Sequence, residues 1–295
     1  MIYNDFEINI LDSNRKDFLD NSKKFLSFEV TYELNNFPRL TLKIYSLQRL
    51  DLRFTDLVIK INFNDYFYNF NMGIIESKFI GNGAYEFTGI NLPYKYLQEN
   101  RSRFLSTSLK TSFNIIGTSY TLDIKSDLQS NFYQINETDL SILTYLLSGI
   151  SEGIPLIISD KYIQLMNVSK KETKLGAENI GNIVVRNKFL PTNVSTKKLT
   201  NFIYYRGLDE NIFINKLSQS EFYKNRLVNQ QFIDGLTRIS LLLHFETASP
   251  KKNVGDKLII DGVYASNLIY TVISKTELFT ESKITTDLVV GANEI

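Results

Sequence analysis

The chain has 295 residues, 43% hydrophobic and 22% charged, with 33 Lys plus Arg against 32 Asp plus Glu for a net charge of +1. That is an ordinary globular balance, long enough for two or three domains, with no overall electrostatic case for nucleic acid or an anionic membrane. With no Cys and a single His, the composition excludes disulfides, thiolate nucleophiles, thiolate metal sites and histidine-rich metal sites, while 21 Phe and 17 Tyr lean it towards strands.

The first residues, MIYNDFEINILDSN, carry early acids and no long apolar core, so a signal peptide is not expected. No run approaches ~18 apolar residues, so no membrane span is expected either. Residues 1–100 read as β. Ile8 and Ile10 mark a first strand, and Phe25, Leu26, Phe28, Val30 and Tyr32 a second. Leu40, Leu42 and Ile44 alternate in a third, with Asn35, Asn36 and Pro38 as the turn between them. Residues 56–63 and 66–70, separated by Asn64-Asp65, form a hairpin pattern. Gly73 begins another strand that reaches Ile80. Gly81-Asn82-Gly83 turns it, and Ala84 to Ile90 returns. This glycine pair lacks the longer spacing and following helix of a phosphate loop.

Residues 101–131 are expected to hold a helix capped by Thr107 or Ser108, with Leu109, Phe113 and Ile116 on one face and Gly117 at its end. Tyr120, Leu122 and Ile124 suggest a short strand. Tyr133 and Ile135 suggest another, after which Asn136 is placed to cap a helix, with Glu137 and Asp139 as negative charges in its first turn. Leu140, Leu143, Leu146, Leu147 and Ile150 recur at helical spacing, and Gly153 is a stop. Residues 156–159 and Tyr162–Leu165 then make a hairpin around Asp160-Lys161.

Residues 166–200 are Lys-rich and broken by Gly176, Gly181 and Pro191, which reads as a solvated connector at a domain junction. Residues 202–205 form a strand pattern, residues 218–232 a polar helix pattern, and residues 239–245 a strand holding the one histidine, His244, as a partly buried strand residue. The Asn-x-Ser/Thr triplets at Asn136, Asn167 and Asn193 read as chance matches in a chain rich in these residues. The last part repeats the grammar of residues 56–91. The two blocks align without gaps at an offset of 200 residues, pairing Asp56 with Asp256, Ile59 with Ile259 and Phe79 with Phe279.

Three stretches carry a resemblance to a known family. Tyr133-Gln134-Ile135-Asn136-Glu137-Thr138-Asp139-Leu140-Ser141-Ile142-Leu143 is similar to a "Q-x-N-E-S-D-x-x-F-L" motif. Glu152-Gly153-Ile154 resembles the "E-x-G" turn after that motif, and Asn253-Val254-Gly255-Asp256-Lys257-Leu258-Ile259-Ile260 resembles "x-P-G-D-x-V-x-I". Together they resemble the baseplate hub family of contractile phage tails, which includes late-control tail proteins and the N-terminal part of type VI secretion spike proteins. Val254 departs from the family's proline, and the chain ends at Ile295 without a spike, lysozyme or carbohydrate domain, so a stand-alone hub with a separate spike protein is expected.

The resemblance implies a mainly β fold with an α+β insert: two related β-barrels flanking a small helix-plus-hairpin module. The expected domains are a first barrel at 1–100, the insert at 101–170 and a second barrel at 171–295. It also implies a homotrimer whose two barrels per subunit make a pseudo-sixfold ring, joining a hexameric tail tube protein to a trimeric central spike protein among other baseplate proteins. Such a protein would sit in the virion tail baseplate after assembly in the host cytoplasm. Neither nucleic acid nor a membrane span is required. No residue is nominated as catalytic, cofactor-binding or metal-ligating, and no cofactor is implied. A β-rich glycan or cell-surface binding module of a tail competes with this reading, although the best stacking residue, Trp, is absent. A hydrolase with paired carboxylates has no distinctive spacing to support it.

Overall fold

In the computed structural model of the chain, the described residues are 6–63, 66–98, 100–108, 121–123, 129–140, 156–159, 162–166, 173–176, 182–186, 233, 236, 239–246, 252–261 and 268–292. They form strands β1 (Phe6–Leu11), β2 (Lys23–Glu33), β3 (Asn36–Ser46), β4 (Asp56–Phe63), β5 (Tyr66–Gly81), β6 (Ala84–Ile90), β7 (Asn100–Ser108), β8 (Thr121–Asp123) and β9 (Gln129–Thr138). These are followed by β10 (Leu156–Ile158), β11 (Tyr162–Leu165), β12 (Thr173–Gly176), β13 (Asn182–Arg186), β14 (Ile239–Phe245), β15 (Lys257–Asp261), β16 (Ile269–Phe279) and β17 (Ile284–Ala292). A short helix, α1 (Lys95–Gln98), follows β6.

The fold is mostly β and is built on a curled, largely antiparallel sheet. Its twelve strands run β1-β4-β5-β6-β3-β2-β16-β17-β14-β13, with β15 also on β16 and β12 parallel to β15. A three-stranded sheet, β10-β11-β8, and a two-stranded ribbon, β7-β9, stand beside it.

Alternation builds the sheet's interior. Phe28 and Val30 of β2, Leu40, Leu42 and Ile44 of β3, Ile59 and Ile61 of β4, and Phe87 of β6 are all fully buried in one cluster. Each such side chain contributes about 1.5–3 kcal/mol by leaving water. A second cluster holds Leu241, Leu243, Leu258, Ile260, Tyr270, Val272, Leu288 and Val290. Phe279 and Ile284, from the far end of the chain, belong to the first cluster.

The long strand β5 turns a corner. Residues 66–73 pair with β4, whereas residues 73–81 pair with β6, and the register slips at Ile75. The corner sits at Gly73, where a Cβ would lie 2.3 Å from the Leu92 carbonyl oxygen, so no side chain fits there.

Several expectations hold. The hairpins β2–β3, β4–β5, β5–β6, β10–β11 and β16–β17 lie where patterning placed them. Asn35 takes φ 64 in the first turn, and Gly81, Asn82 and Gly83 all have positive φ in theirs. Others are corrected. Thr107 and Ser108 are strand residues of β7 paired with Ser130 and Gln129, so neither caps a helix. Leu109, Phe113, Ile116 and Gly117 lie outside the described residues, as do residues 202–205 and 218–232. The Lys-rich segment is more than connector. It supplies β12 and β13, because Asn182-Ile183-Val184-Val185-Arg186 is a compact β-branched run that pairs with β14.

Candidate assembly interface

The internal repeat is real in topology and wider than its sequence pattern, but it is not gapless. The order β2-β3-β6-β5-β4 recurs as β13-β14-β17-β16-β15. Register identifies the equivalents. Leu40 opposite Gly89 corresponds to Leu241 opposite Val290, and Gly73 opposite Ile90 corresponds to Thr271 opposite Gly291. Asp56 opposite Gly73 corresponds to Lys257 opposite Thr271. The bulge between Ile74 and Glu76 reappears between Val272 and Ser274. The middle strand is therefore displaced relative to its neighbours, and Ile59, Asp56 and Phe79 are not the equivalents of Ile259, Asp256 and Phe279.

The turn into each unit repeats as well. Phe54 has φ 71 and donates its N–H to the Ile74 carbonyl at 3.0 Å; Gly255 has φ 86 and donates to the Val272 carbonyl at 2.8 Å. The return bonds, Ile74 to Thr55 and Val272 to Asp256, are both 2.9 Å. The Val-Gly-Asp stretch singled out in the sequence is this turn. Asp256 closes it by accepting the Asn253 N–H at 2.9 Å, while Gly255 lies so close to the insert that a Cβ would come 2.6 Å from Ile157 Cδ1.

The two units join inside the chain. The second half of β16 lays its edge on β2, antiparallel, from Ser274 opposite Glu33 to Phe279 opposite Phe28. Phe28 and Phe279 pack as a tilted pair at 6.0 Å between ring centroids, and the Thr31 and Thr276 hydroxyls hydrogen-bond at 3.1 Å. Lys275 and Glu277 form a mostly buried pair at 2.9 Å. The insert hairpin clamps this seam. Asn35 donates its N–H to the Leu156 carbonyl at 2.8 Å and accepts the Leu156 N–H on its side-chain oxygen at 2.7 Å. Leu34, Met166, Leu236 and Val254 form the small apolar cluster beneath. A cleft of about 310 Å³ opens beside it, bordered by Tyr32, Tyr68, Tyr162 and Lys275.

Two edges remain. Beyond Ile74, β5 is paired only with β6, so among the described residues its other edge is open from Ile75 to Ile80. Three apolar side chains there are exposed, Ile75 at 42%, Phe79 at 59% and Ile80 at 44%. At one end of the sheet, β13 is paired, among the described residues, only with β14. Unpaired apolar strand edges invite another strand.

This architecture has solved counterparts. A tail protein from Neisseria meningitidis superposes with a TM-score of 0.60 at 10% identity, covering 97% of this chain and 96% of that one. The 43 kDa tail protein of prophage MuSo2 from Shewanella oneidensis gives 0.63 at 10% identity, covering 97% and 98%. A component of the E. coli type VI secretion system, described as structurally similar to the T4 bacteriophage tail proteins gp27 and gp5, gives 0.56 at 11% identity, covering 97% and 77%. The fold is that of phage tail proteins. No protein-family model and no curated protein matches the sequence.

The motif that carried the resemblance resolves into a buried ionic network. Asp139 is fully buried at the end of the β7–β9 ribbon. Its Oδ1 accepts from Arg103 Nη2 at 2.6 Å and from Gln134 Nε2 at 2.8 Å, and Gln134 Oε1 accepts from Arg103 Nε at 2.7 Å. Arg101 Nε stands 3.7 Å from Oδ2, near enough for attraction but too far for a hydrogen bond. Asp139 stands where helical conformation begins, as expected of a first-turn charge, whereas Glu137 lies in β9; the two arginine partners of Asp139 were not expected from the sequence.

Asn136 does not cap the helix. It sits in β9 with φ 49 and donates its N–H to the Ser102 hydroxyl at 3.1 Å, while helical conformation begins only at Asp139. His244 lies on β14 as expected, with Nδ1 2.6 Å from Asp287 Oδ1 across the β14–β17 pair. Among the described residues no group of acidic and histidine side chains is arranged to hold a metal ion.

Proposed function

We propose that the protein is a structural baseplate hub of a contractile injection machine, a phage tail or tailocin. In this role it forms a homotrimeric pseudo-sixfold ring that joins the hexameric tail tube to a trimeric central spike. The observation that carries this reading is the duplication of one five-strand array within a chain that has the fold of tail proteins. A three-fold object can meet a six-fold one only if each subunit offers two similar surfaces, and the β2–β16 junction sets two such arrays side by side.

In this reading residues 1–100 and 171–295 supply the two barrel walls, and residues 101–170 form the insert that locks their seam. The partners are further copies of the chain, the tube protein, the spike protein and other baseplate proteins, met in the virion tail after assembly in the host cytoplasm. The work is mechanical and needs no catalytic group or cofactor. Light scattering on the purified protein, alone and with its tube and spike proteins, tests it. Three times the 34.1 kDa chain mass is expected. A protein that stays monomeric at high concentration and binds neither partner would overturn it.

A further inference from the structure

We infer that copies of this chain join head to tail by strand addition, the open edge of β5 in one copy pairing antiparallel with β13 of the next in the register that β16 and β2 already use within the chain. The inference deepens the ring reading and rests on it.

The internal junction is the template. Register makes β16 the equivalent of β5 and β2 the equivalent of β13: Ser274 follows its bulge as Glu76 follows the other, and Val30 opposite Leu40 matches Val185 opposite Leu241. Within the chain, the edge of β16 in the second unit is filled by β2 of the first. The equivalent edge in the first unit, residues 76–81 of β5, is unfilled among the described residues, and so is the edge of β13 that corresponds to the filled edge of β2. One operation therefore has both its donor and its acceptor unused, and repeating it between copies consumes both. The contact is heterologous, so it closes into a ring or runs on. Closure would leave the wall β5-β6-β3-β2-β16-β17-β14-β13 without an edge in any copy.

Transposing the register sets Phe79 opposite Val185 and Lys78 opposite Arg186; beyond Phe79 a bulge at Ile80 makes Gly81 the equivalent of Leu278 and sets it opposite Val184. Phe79, an apolar residue that β5 leaves exposed, thus meets an apolar residue type in Val185. Lys78 and Arg186 meet as like charges where the internal junction has Thr276 and Thr31. That pair gives the register a test of its own.

The chain has no cysteine, so engineered pairs report without background. Phe79→Cys with Val185→Cys should give disulfide-linked dimers and trimers on oxidation, about ten-fold more than Phe79→Cys with Val184→Cys, because a one-residue slip turns a side chain to the other face. Phe79→Cys alone should give none, because a head-to-tail contact never brings Phe79 to itself. Lys78→Glu should raise the yield of the first pair several-fold, and added salt should erase the gain. A multimer that cross-links no better through 79/185 than through 79/184, or through Phe79→Cys alone, overturns the strand-addition inference while leaving the ring reading intact. A monomer by light scattering overturns both.

Discussion

Replacing Asp139 with Ala removes the shared acceptor of a buried network. Asp139 has no exposed side-chain surface, and Arg103 is only 21% exposed. The substitution deletes two short hydrogen bonds, from Arg103 and from Gln134, and strands a guanidinium. Hydrogen bonds to charged groups contribute about 1.5–3 kcal/mol, and breaking one partner of a buried pair costs roughly 3–5 kcal/mol. Arg101 adds less, being 35% exposed and beyond hydrogen-bond range. The expected loss is therefore about 3 kcal/mol, concentrated in the β7–β9 ribbon. Hydrogen exchange reads it locally: amides of β7 and β9 should exchange on the order of a hundred-fold faster, with those of β2, β3 and β6 little changed. A first-turn helix charge is worth only about 0.3–1 kcal/mol. A change that small would refute the network and restore the dipole role.

Three other expectations follow from the turns and exposed carboxylates. Gly73→Ala drives a methyl group into the Leu92 carbonyl at the β5 corner, and Gly255→Ala drives one towards Ile157 at a positive φ. Each should cost roughly 1–3 kcal/mol in denaturant unfolding, with Gly73→Ala the worse because backbone cannot yield. At the matching turn, Phe54→Gly relieves a left-handed aromatic residue but loses its ring contact with Tyr94 at 5.2 Å. It should fall within about 1 kcal/mol of neutral, far from the loss usual for an aromatic truncation. The Asp20 carboxyl is held down to about 2 by Lys23, and Asp51 to about 2 by Arg53. Both values lie below the ordinary 3.8, so their contribution to folding is present above pH 4 and is lost as pH falls towards 2. Carboxyl titration by NMR should place both midpoints near 2; midpoints near 3.8 would contradict the pairing.

The barrel-like half of the chain was legible because its strands face water on one side. Alternation at Phe28 and Val30, or at Leu40, Leu42 and Ile44, writes burial directly into sequence. The tight turns were legible because positive φ selects Asn and Gly. What stayed hidden had no local signature. Phe54 occupies the position that Gly255 fills in the second unit, so the repeated turn looks different in the two copies. Bulges at Ile75 and Ile273 displace β5 and β16 against their neighbours, which a gapless alignment cannot follow. Arg103 lies 36 residues before Asp139 and Arg101 two residues earlier still, and only folding the ribbon brings them together. The β2–β16 junction links residues 245 positions apart, as Thr31 and Thr276 show, and patterning is blind to pairings of that range.

Electron microscopy of the assembled protein tests the central claim most directly. Averaged end-on views should show a ring with three-fold symmetry, a central channel and six similar lobes around it, two from each chain. A ring of another symmetry, or a closed two-fold dimer, would contradict the account.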